Sequence, residues 1–265
     1  MEKKVSIITV SNNSVKTIAE TIESVKNQTY KNIEYIVIDN CSKDGTIEVL
    51  EKYKKYIGKL IIEPDKGIYD AMNKGIRNSS GEVIGILNSD DFYKDKFVIE
   101  SIMENFDRDH TLEAVLSDIY FFKESSTHHR IVRKVTAQSF KPWKLRFGWM
   151  PPHPGIFLKK ETQKEVGYYK TDYQIASDFE FCLRLFFNRQ TSYSISNICS
   201  VLMREGGIST KSYKNNFLIS SEIIRACREN NIYTNFIFIF SRLPIKMALK
   251  IKDYFLRLRI SKDID

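Results

Sequence analysis

Short apolar runs rich in β-branched residues recur through the first 100 residues and alternate with segments of helical periodicity. The runs at 5–10, 33–39, 60–63 and 83–87 predict buried strands, and the first three are each followed by a helical pattern. Parallel strands need crossover connections, so this alternation predicts βαβ units and an α/β fold with a mostly parallel central sheet flanked by helices.

The second half of the chain reads differently. Strands are predicted at 114–122, 131–135 and 156–158, with an aromatic, irregular stretch at 143–150 and a rigid proline turn at 151–155. A helix is predicted to begin near Asp178, with Phe181, Leu185 and Phe186 on one side. A glycine-rich loop follows at 203–209.

Charge and cysteine usage narrow the class of protein. The formal net charge of +8 suits an anionic partner such as nucleotide phosphates, nucleic acid or an anionic membrane, or serves solubility alone. The four cysteines are far apart without CxxC spacing, which indicates neither a zinc site nor a disulfide framework. With no signal-peptide pattern and no apolar segment of about 18 residues, a cytoplasmic location is expected.

Several nucleotide-binding classes lack their signatures. The turn after the first strand contains no glycine, which counts against NAD or FAD, and no Gly-Lys-Ser/Thr phosphate loop is present. One alternative class, a metal-dependent nucleotidyltransferase, is expected to carry an early glycine-rich and basic loop at the first strand, and this loop is missing. A nucleic-acid-binding module is a second alternative, but the basic residues are spread and no recognition motif stands out. A non-catalytic sugar-nucleotide binder is a third.

Two adjacent carboxylates, Asp90 and Asp91, follow the fourth predicted strand. Ligands of open α/β sheets bind at the strand ends, and paired acidic oxygens there suit Mg²⁺ or Mn²⁺ held together with phosphate oxygens. The alternative is that both aspartates only cap the next helix.

Ordered motifs over about the first 210 residues resemble the family 2 glycosyltransferases, inverting enzymes with the GT-A fold. The motifs are the strand at 5–10 with its Asn pair, Asp39 with the loop to Thr46, the segment 66–75, the segment 88–91, and 176–178 at a helix start. The Gly-Ile-Tyr-Asp-Ala-Met-Asn and Pro-His-Pro segments look most like bacterial enzymes that build O-antigen or capsule repeat units.

The chain departs from the family pattern at several places. Asn88 stands where the Asp-x-Asp region begins, Ser177 precedes Asp178 where a Glu is usual, and the common Pro after Thr9 is missing. The Gln-x-x-Arg-Trp signature of processive members is absent, which favours transfer of a single sugar.

The resemblance implies a UDP-sugar donor and a division of labour at the site. Asp90 and Asp91 would hold Mn²⁺ or Mg²⁺ against the leaving diphosphate and touch the ribose, with Asn88 able to supply a carbonyl oxygen. Asp178 is the candidate general base, and the alternative is an ordinary helix cap. Because a helix N-terminus stabilises an ionised carboxylate, no raised pKa is expected there. Glu180 should face elsewhere.

The remaining candidate residues concern the nucleotide. Thr9 and Asp39 are implied to hold uracil and ribose, and Lys66 to meet phosphate or base. Asp70 and Asn73 share a helix face and either line the nucleotide pocket or stabilise the helix start.

Two further segments carry an open choice between function and structure. His153 contacts the donor phosphates or acceptor, or is a structural hydrogen-bonding group. Gly206 and Gly207 form a phosphate-binding loop or a plain turn. The pair at 128–129 suggests a solvated loop.

The predicted organisation is a catalytic domain at 1–215, with a nucleotide-binding half at 1–100 and an acceptor-binding half at 101–215, and a helical basic extension at 216–265. A helix at 245–260 with basic, aliphatic and aromatic residues suits the cytoplasmic face of a membrane and a lipid-linked glycan acceptor. The alternatives are packing on the catalytic domain or formation of a homodimer.

Overall fold

The computed structural model describes residues 2–124, 129–205 and 213–241, with side chains of 213–216 excluded. The nine described strands form one mixed sheet. They are β1 (Val5–Ser11), β2 (Ile33–Asp39), β3 (Lys59–Ile62), β4 (Val83–Ile86), β5 (Phe92–Tyr93), β6 (Ala114–Glu124), β7 (His129–Val135), β8 (Ile156–Lys159) and β9 (Tyr193–Arg204).

Helices connect these strands. The described α-helices are α1 (Ile18–Lys26), α2 (Thr46–Tyr53), α3 (Ile68–Asn78), α4 (Val98–Arg108), α5 (Lys160–Val166), α6 (Ser177–Cys182), α7 (Tyr213–Glu229) and α8 (Phe236–Phe240). Short 3₁₀ segments lie at Lys54–Tyr56, Pro142–Phe147 and His153–Gly155, and α6 continues as a π-helical segment, Leu183–Asn188.

The first four strands are all parallel, in the spatial order β3-β2-β1-β4. This confirms the βαβ alternation expected for the first half. Strand β8 then runs antiparallel to β4 and to β6, β6 pairs in parallel with β9, and β5 and β7 add antiparallel edges.

Alternation along the buried strands creates one core on each face of the sheet. Ile8 and Val10 of β1 face a core shared with α3, α6 and α7, whereas Val5 and Ile7 face a core shared with α1, α2 and α4. Within the extension expected at 216–265, α7 contributes Ala226 and Cys227 to the first core, so this helix packs against the catalytic domain, next to α6. The helix expected at 245–260 lies outside the described residues.

Helix α3 approaches the sheet closely because it carries Gly75. A Cβ added at this glycine would lie 2.2 Å from Cγ2 of Ile8. The backbone of α3 therefore rests on β1 with no room for a side chain, which fixes the position of the preceding residues 66–70.

Candidate functional site

Hydrogen bonds join the three loops that follow β1, β2 and β4 at the carboxyl edge of the parallel strands. Asn13 N donates to Ser42 Oγ at 2.8 Å, and Lys43 N donates to Asn13 Oδ1 at 3.0 Å. Ser14 Oγ and Ser89 Oγ lie 2.7 Å apart. The three loops thus form one connected polar edge, which is where ligands of α/β sheets bind.

Asp39 ends β2 inside this edge. Its side chain is fully buried and accepts two hydrogen bonds of 2.8 Å, from the backbone N–H and from the hydroxyl of Ser42. Each carboxylate oxygen can accept more than one hydrogen bond, so Asp39 retains capacity for a further donor.

Strand register places Ser11, and not Thr9, beside Asp39. Thr9 is fully buried within β1, and its hydroxyl accepts a hydrogen bond from Tyr35 at 3.1 Å. Ser11 Oγ is buried without a hydrogen-bond partner among the residues that the structure describes. The sequence analysis missed Ser11. Side chains alternate along a strand, so Ser11 lies on the same face of β1 as Thr9, and this was the available signal.

The segment 88–91 forms a turn in which Asp91 N donates to Asn88 O at 3.1 Å. The chain then enters β5, and the next helix begins only at Val98, so the helix-capping alternative for Asp90 and Asp91 is wrong. The chain leaves the turn as a strand because Phe92 and Tyr93 pair with β9.

The two aspartates occupy different environments. Asp90 is exposed, whereas Asp91 is 1% exposed and accepts hydrogen bonds from the Asn88 amide at 3.2 Å and from the backbone of Arg204. Burial, followed by the neighbouring charge of Asp90, holds the pKa of Asp91 well above its usual range. Asp90 is therefore the carboxylate of this pair that reaches solvent.

The side chains of this turn also decide whether a divalent cation can bind here. The described residues contain no group of three or more His, Cys, Asp or Glu side chains arranged around a common point. Asn88 Oδ1, however, is buried and has no hydrogen-bond partner in the described part of the chain. One carboxylate and one orphan carbonyl oxygen fit a cation that arrives with nucleotide phosphates, since Mg²⁺ commonly uses one or two protein carboxylates.

Asp178 is the second residue of α6 and is partly buried. Its Oδ1 accepts a hydrogen bond from the backbone N–H of Phe179 at 2.8 Å. Burial raises the pKa of Asp178 to about 6, and the charge of Glu222 adds to the rise. The expectation that the helix terminus would prevent a raised pKa is wrong, because removal from water outweighs the nearby N–H groups.

Glu180 points away from this position, as expected. It is fully buried in ion pairs with Arg184 at 2.8 Å and Lys170 at 3.1 Å. These contacts engage both oxygens of Glu180, which leaves Asp178 as the candidate carboxylate of α6 for proton transfer.

Tyr69 of α3 meets the segment that leads into α6. Its phenol donates to the backbone carbonyl of Ile175 and lies within hydrogen-bonding reach of the Asp178 carboxylate. Sequence reasoning quoted Tyr69 within the motif at 66–75 without giving it a role. The position of Tyr69 beside Asp70 was the available sequence signal for a role at the site. Its contact with Ile175, more than 100 residues away, could not be predicted from local sequence.

A cleft of about 280 Å³ lies between residues 66–70 and 171–174. Lys66 and Asp70, two of the residues expected to bind the donor, line this cleft. Asp70 accepts a hydrogen bond from the backbone N–H of Lys66 at 3.1 Å and faces Lys74 at 3.7 Å. Asp65 and Asn40 connect this cleft to the polar edge, because Asp65 N donates to Asn40 Oδ1 at 2.9 Å and Asp65 accepts from Gly67 N at 2.8 Å.

Asn73 does not share this cleft. Its amide donates to the Tyr169 carbonyl at 2.8 Å and accepts from the Tyr169 N–H at 2.9 Å, in a site that is 4% exposed. Helical spacing put Asp70 and Asn73 on one face, but the structure turns the first outward and the second into the core.

His153 contacts the hydroxyl of Tyr169, with Nε2 and the oxygen 2.8 Å apart. Burial lowers the pKa of His153 to about 4, so the imidazole is neutral near pH 7. Tyr169 in turn packs on Tyr69, with ring centroids 6.0 Å apart. His153 is thus linked to Tyr69 through one aromatic side chain.

Three expectations fall wholly or partly outside the described residues. They are the loop with Gly206 and Gly207, the histidine pair at 128–129, of which His128 is outside, and the helix expected at 245–260. His129 begins β7 and lies 3.8 Å from Glu20.

Solved structures share this fold. The structure of S. aureus TarS 1–349 in complex with UDP-GlcNAc matches with a TM-score of 0.64 and 20% identity, covering 83% of this chain and 66% of that one. The mannosyltransferase PcManGT from Pyrobaculum calidifontis, in complex with GDP-Man and Mn²⁺, matches with a TM-score of 0.61 and 16% identity over 86% and 64% of the two chains. The fold is that of the GT-A glycosyltransferases, as the motifs predicted.

The family follows from sequence comparison. The family model for glycosyl transferase family 2 matches residues 6–171. The uncharacterized glycosyltransferase Rv1514c of Mycobacterium tuberculosis is 31% identical over 185 residues, 68% of each chain. The putative teichuronic acid biosynthesis glycosyltransferase TuaG of Bacillus subtilis is 37% identical over 93 residues, covering 34% of this chain and 37% of its own. The chain belongs to glycosyl transferase family 2.

Proposed function

We propose that this glycosyltransferase moves one hexose or N-acetylhexosamine from a UDP-sugar to a glycan hydroxyl, with inversion at the anomeric carbon. The observation that carries the proposal is Asp178, a partly buried carboxylate with a pKa of about 6 that contacts Tyr69 at the wall of the cleft. A carboxylate of this kind is ionised at neutral pH and still basic enough to accept a proton.

The transfer balances as a single displacement. The acceptor oxygen forms a bond to the anomeric carbon as the bond from that carbon to the diphosphate breaks, and UDP leaves with the electron pair. Asp178 accepts the proton of the acceptor hydroxyl. Attack from the face opposite the leaving group inverts the configuration.

The polar edge of the sheet would bind the nucleotide. Ser11 and Asp39 offer a hydroxyl and a carboxylate side by side, with the Ser11 oxygen otherwise unpaired in the described part of the chain. Lys66 adds a positive charge at the mouth of the cleft. Complexes of TarS with UDP and UDP-GlcNAc support uracil as the base, although PcManGT was solved with GDP-Man.

A divalent cation, Mn²⁺ or Mg²⁺, would be held by Asp90 and Asn88 together with the donor. Bound there, it supplies positive charge where the leaving diphosphate gains negative charge. Asp91 supports this turn from within, through its hydrogen bonds to Asn88 and to the Arg204 backbone.

The acceptor is proposed to be a lipid-linked glycan of a surface polysaccharide, such as an O-antigen or capsule repeat unit. TuaG is named for teichuronic acid biosynthesis, and a mycobacterial relative that is 24% identical over 186 residues is named for PGL/p-HBAD biosynthesis; these names support a role in polysaccharide biosynthesis. A cytoplasmic protein that binds the membrane peripherally would meet such an acceptor.

Exposed aromatic and aliphatic side chains support membrane binding. Trp143, Phe236 and Ile237 are 56%, 52% and 79% exposed, and Phe147 and Phe238 stack at 4.7 Å to join their two segments. Segment 141–150 contains Lys141, Lys144 and Arg146 but no Asp or Glu, and segment 230–241 contains no charged residue. No helix among the described residues has the length and apolar character needed to span a bilayer.

The donor proposal is tested by measuring UDP release and sugar transfer with a panel of UDP-, GDP- and dTDP-sugars, with and without Mn²⁺. Asp178→Asn should lower kcat about 10²–10⁴-fold with little change in donor affinity. The control is Asp107→Asn, an exposed aspartate paired with Lys3 just before β1, which should retain activity. Full activity of Asp178→Asn would refute the base, and response only to GDP- or dTDP-sugars would refute the UDP donor.

Membrane binding is tested separately by co-sedimentation with phosphatidylglycerol vesicles. Ile237→Glu should weaken binding, whereas Phe217→Glu, at a 63% exposed position of α7, should not. Equal binding by both variants would remove this surface from the proposal.

A further inference from the structure

The carboxylate of Glu222 on α7 binds the backbone of the segment that leads into α6. Its Oε1 accepts from Gln174 N at 2.7 Å, and its Oε2 accepts from Ile175 N at 3.0 Å and Ala176 N at 2.9 Å. Three consecutive backbone N–H groups therefore end on a single side chain, within four residues of Asp178.

Glu222 is an unusual residue for its position on α7. It is 6% exposed and lies next to Ile223, on the side of the helix that carries Ala226 and Cys227 into the core. A buried carboxylate is costly unless its oxygens are hydrogen-bonded, and here the three N–H groups fill that role. The contact is therefore specific to the segment 174–176 and is more than incidental packing.

The same segment is held from its other side by α3. The Tyr69 phenol donates to the Ile175 carbonyl, while the Ile175 N–H donates to Glu222. One peptide segment is thus fixed through its N–H groups by α7 and through a carbonyl by α3. Tyr69 also lines the cleft, so the anchored segment connects the cleft wall to Asp178.

We infer that Glu222 is a positioning residue for the transfer reaction, which anchors residues 174–176 so that Asp178 faces the acceptor hydroxyl. The inference rests on the proposed role of Asp178 as base. Glu222 lies on a helix beyond residues 6–171, the part matched by the family model. Glu222 also lies outside the ordered motifs, the last of them at 176–178, on which the family resemblance rests.

Glu222→Gln tests the inference with minimal change of shape. Glutamine keeps one acceptor oxygen but turns an NH₂ group toward at least one backbone N–H, so the segment loses part of its anchor. We expect kcat to fall by about 10²-fold, as for misplacement of a catalytic group by about 1 Å, with the KM for the donor within threefold of the wild type. Glu222→Asp should recover part of the loss because it restores two acceptor oxygens.

The matched control is Glu229→Gln on the same helix. Among the described residues, the Glu229 carboxylate accepts hydrogen bonds from side chains alone: from Lys170 at 2.8 Å, from Arg225 at 2.7 Å and from the Tyr173 hydroxyl at 3.0 Å. Its loss weakens the attachment of α7 without freeing a backbone N–H of the segment 174–176. An equal fall in kcat for Glu229→Gln and Glu222→Gln would overturn the inference.

The pH profile separates positioning from general loss of structure. The groups that face Asp178 are Tyr69 from α3, Glu222 from α7, and Tyr169 and Cys182. Among them Glu222 is the carboxylate whose negative charge opposes ionisation of Asp178. Removing that charge should move the acid limb of kcat to lower pH, and an unmoved limb would count against the contact.

Hydrogen exchange keeps the inference testable if the variants fail to fold. In the wild-type protein, the amides of Gln174, Ile175 and Ala176 should exchange slowly, although the Gln174 side chain is exposed. Rapid exchange of these amides would refute the anchor without any substitution. If Asp178→Asn abolishes transfer but Glu222→Gln does not lower kcat, only this inference fails; if Asp178→Asn is active, the proposed base fails first.

Discussion

Asn73 of α3 and Tyr169 form a paired contact across 96 residues of chain, in which the side-chain amide of the first satisfies both the N–H and the carbonyl of the second. Tyr169 then contacts His153 through its hydroxyl and packs its ring on Tyr69 and Phe181. The pair therefore locks the helix that begins the cleft to the chain that leads toward Asp178.

Asn73→Ala should destabilise the protein by about 1–3 kcal/mol or more, since it leaves two buried backbone groups without partners. Urea unfolding measures the change. The control is Asn78→Ala at the exposed end of the same helix, which should stay within about 0.5 kcal/mol of the wild type. Similar losses for both variants would contradict the role given to Asn73.

Activity should depend on pH through Asp178. A general base must be ionised, so kcat should fall about tenfold per pH unit below the pKa of about 6 and level off above it. His153, with its pKa lowered to about 4, stays neutral across this range and does not contribute a second limb. The measurement is kcat at saturating donor and Mn²⁺ from pH 5 to 8.5, and a flat profile down to pH 5 would contradict the prediction.

The same raised pKa should make Asp178 costly for stability at neutral pH. Folding raises the pKa of this carboxyl from 3.8 to about 6, so its protonated form stabilises the protein fully only below the unfolded pKa, and that contribution is lost as pH rises through about 6. The free energy of unfolding of Asp178→Asn, measured with urea, should therefore exceed that of the wild type by about 1–3 kcal/mol at pH 8, with no gain at pH 4. A gain that is equal at both pH values would show another cause.

Asp90 and Asp91 should differ in their response to substitution. Asp90→Asn should weaken binding of UDP in the presence of Mn²⁺ by at least about tenfold, because it removes the exposed carboxylate that is proposed to hold the cation. Asp91→Asn should change this affinity by less than about threefold, since that carboxyl is buried with its pKa raised. Calorimetric titration with UDP at fixed Mn²⁺ measures the affinity of each variant, and titration without divalent cations is the reference. A larger loss of affinity for Asp91→Asn than for Asp90→Asn would make Asp91 the ligand.

Gly75→Ala should destabilise the protein by about 1–3 kcal/mol, although alanine favours a helix, because the new methyl group meets Cγ2 of Ile8 at 2.2 Å. A double-mutant cycle with Ile8→Ala identifies the cause. The pair should be less destabilised than the sum of the single variants by about 1 kcal/mol or more. Strict additivity would mean that the cost of Gly75→Ala arises elsewhere.

The first half of the fold could be predicted because its signals are local. The run at 33–39 coincides with Ile33–Asp39, and the Asp178 helix begins at Ser177. Strand β9 was not predicted, because its mixture of serines, Asn197 and apolar residues shows neither a clean alternation nor a continuous apolar run. Its pairing with β6 and β5 is a long-range contact that no local pattern records.

Local residue order was enough to predict the parallel half-sheet, the polar segments at its strand ends and the candidate catalytic carboxylates. Tertiary packing decided which of those groups face a ligand: it exposed Asp90 and buried Asp91, replaced Thr9 with Ser11 at the sheet edge, and turned Asn73 into the core. It also brought Glu222 and Tyr69 to the segment before Asp178. The reason is that burial, and with it pKa and hydrogen-bond partners, depends on residues distant in the chain, whereas strand and helix formation depends mainly on neighbours.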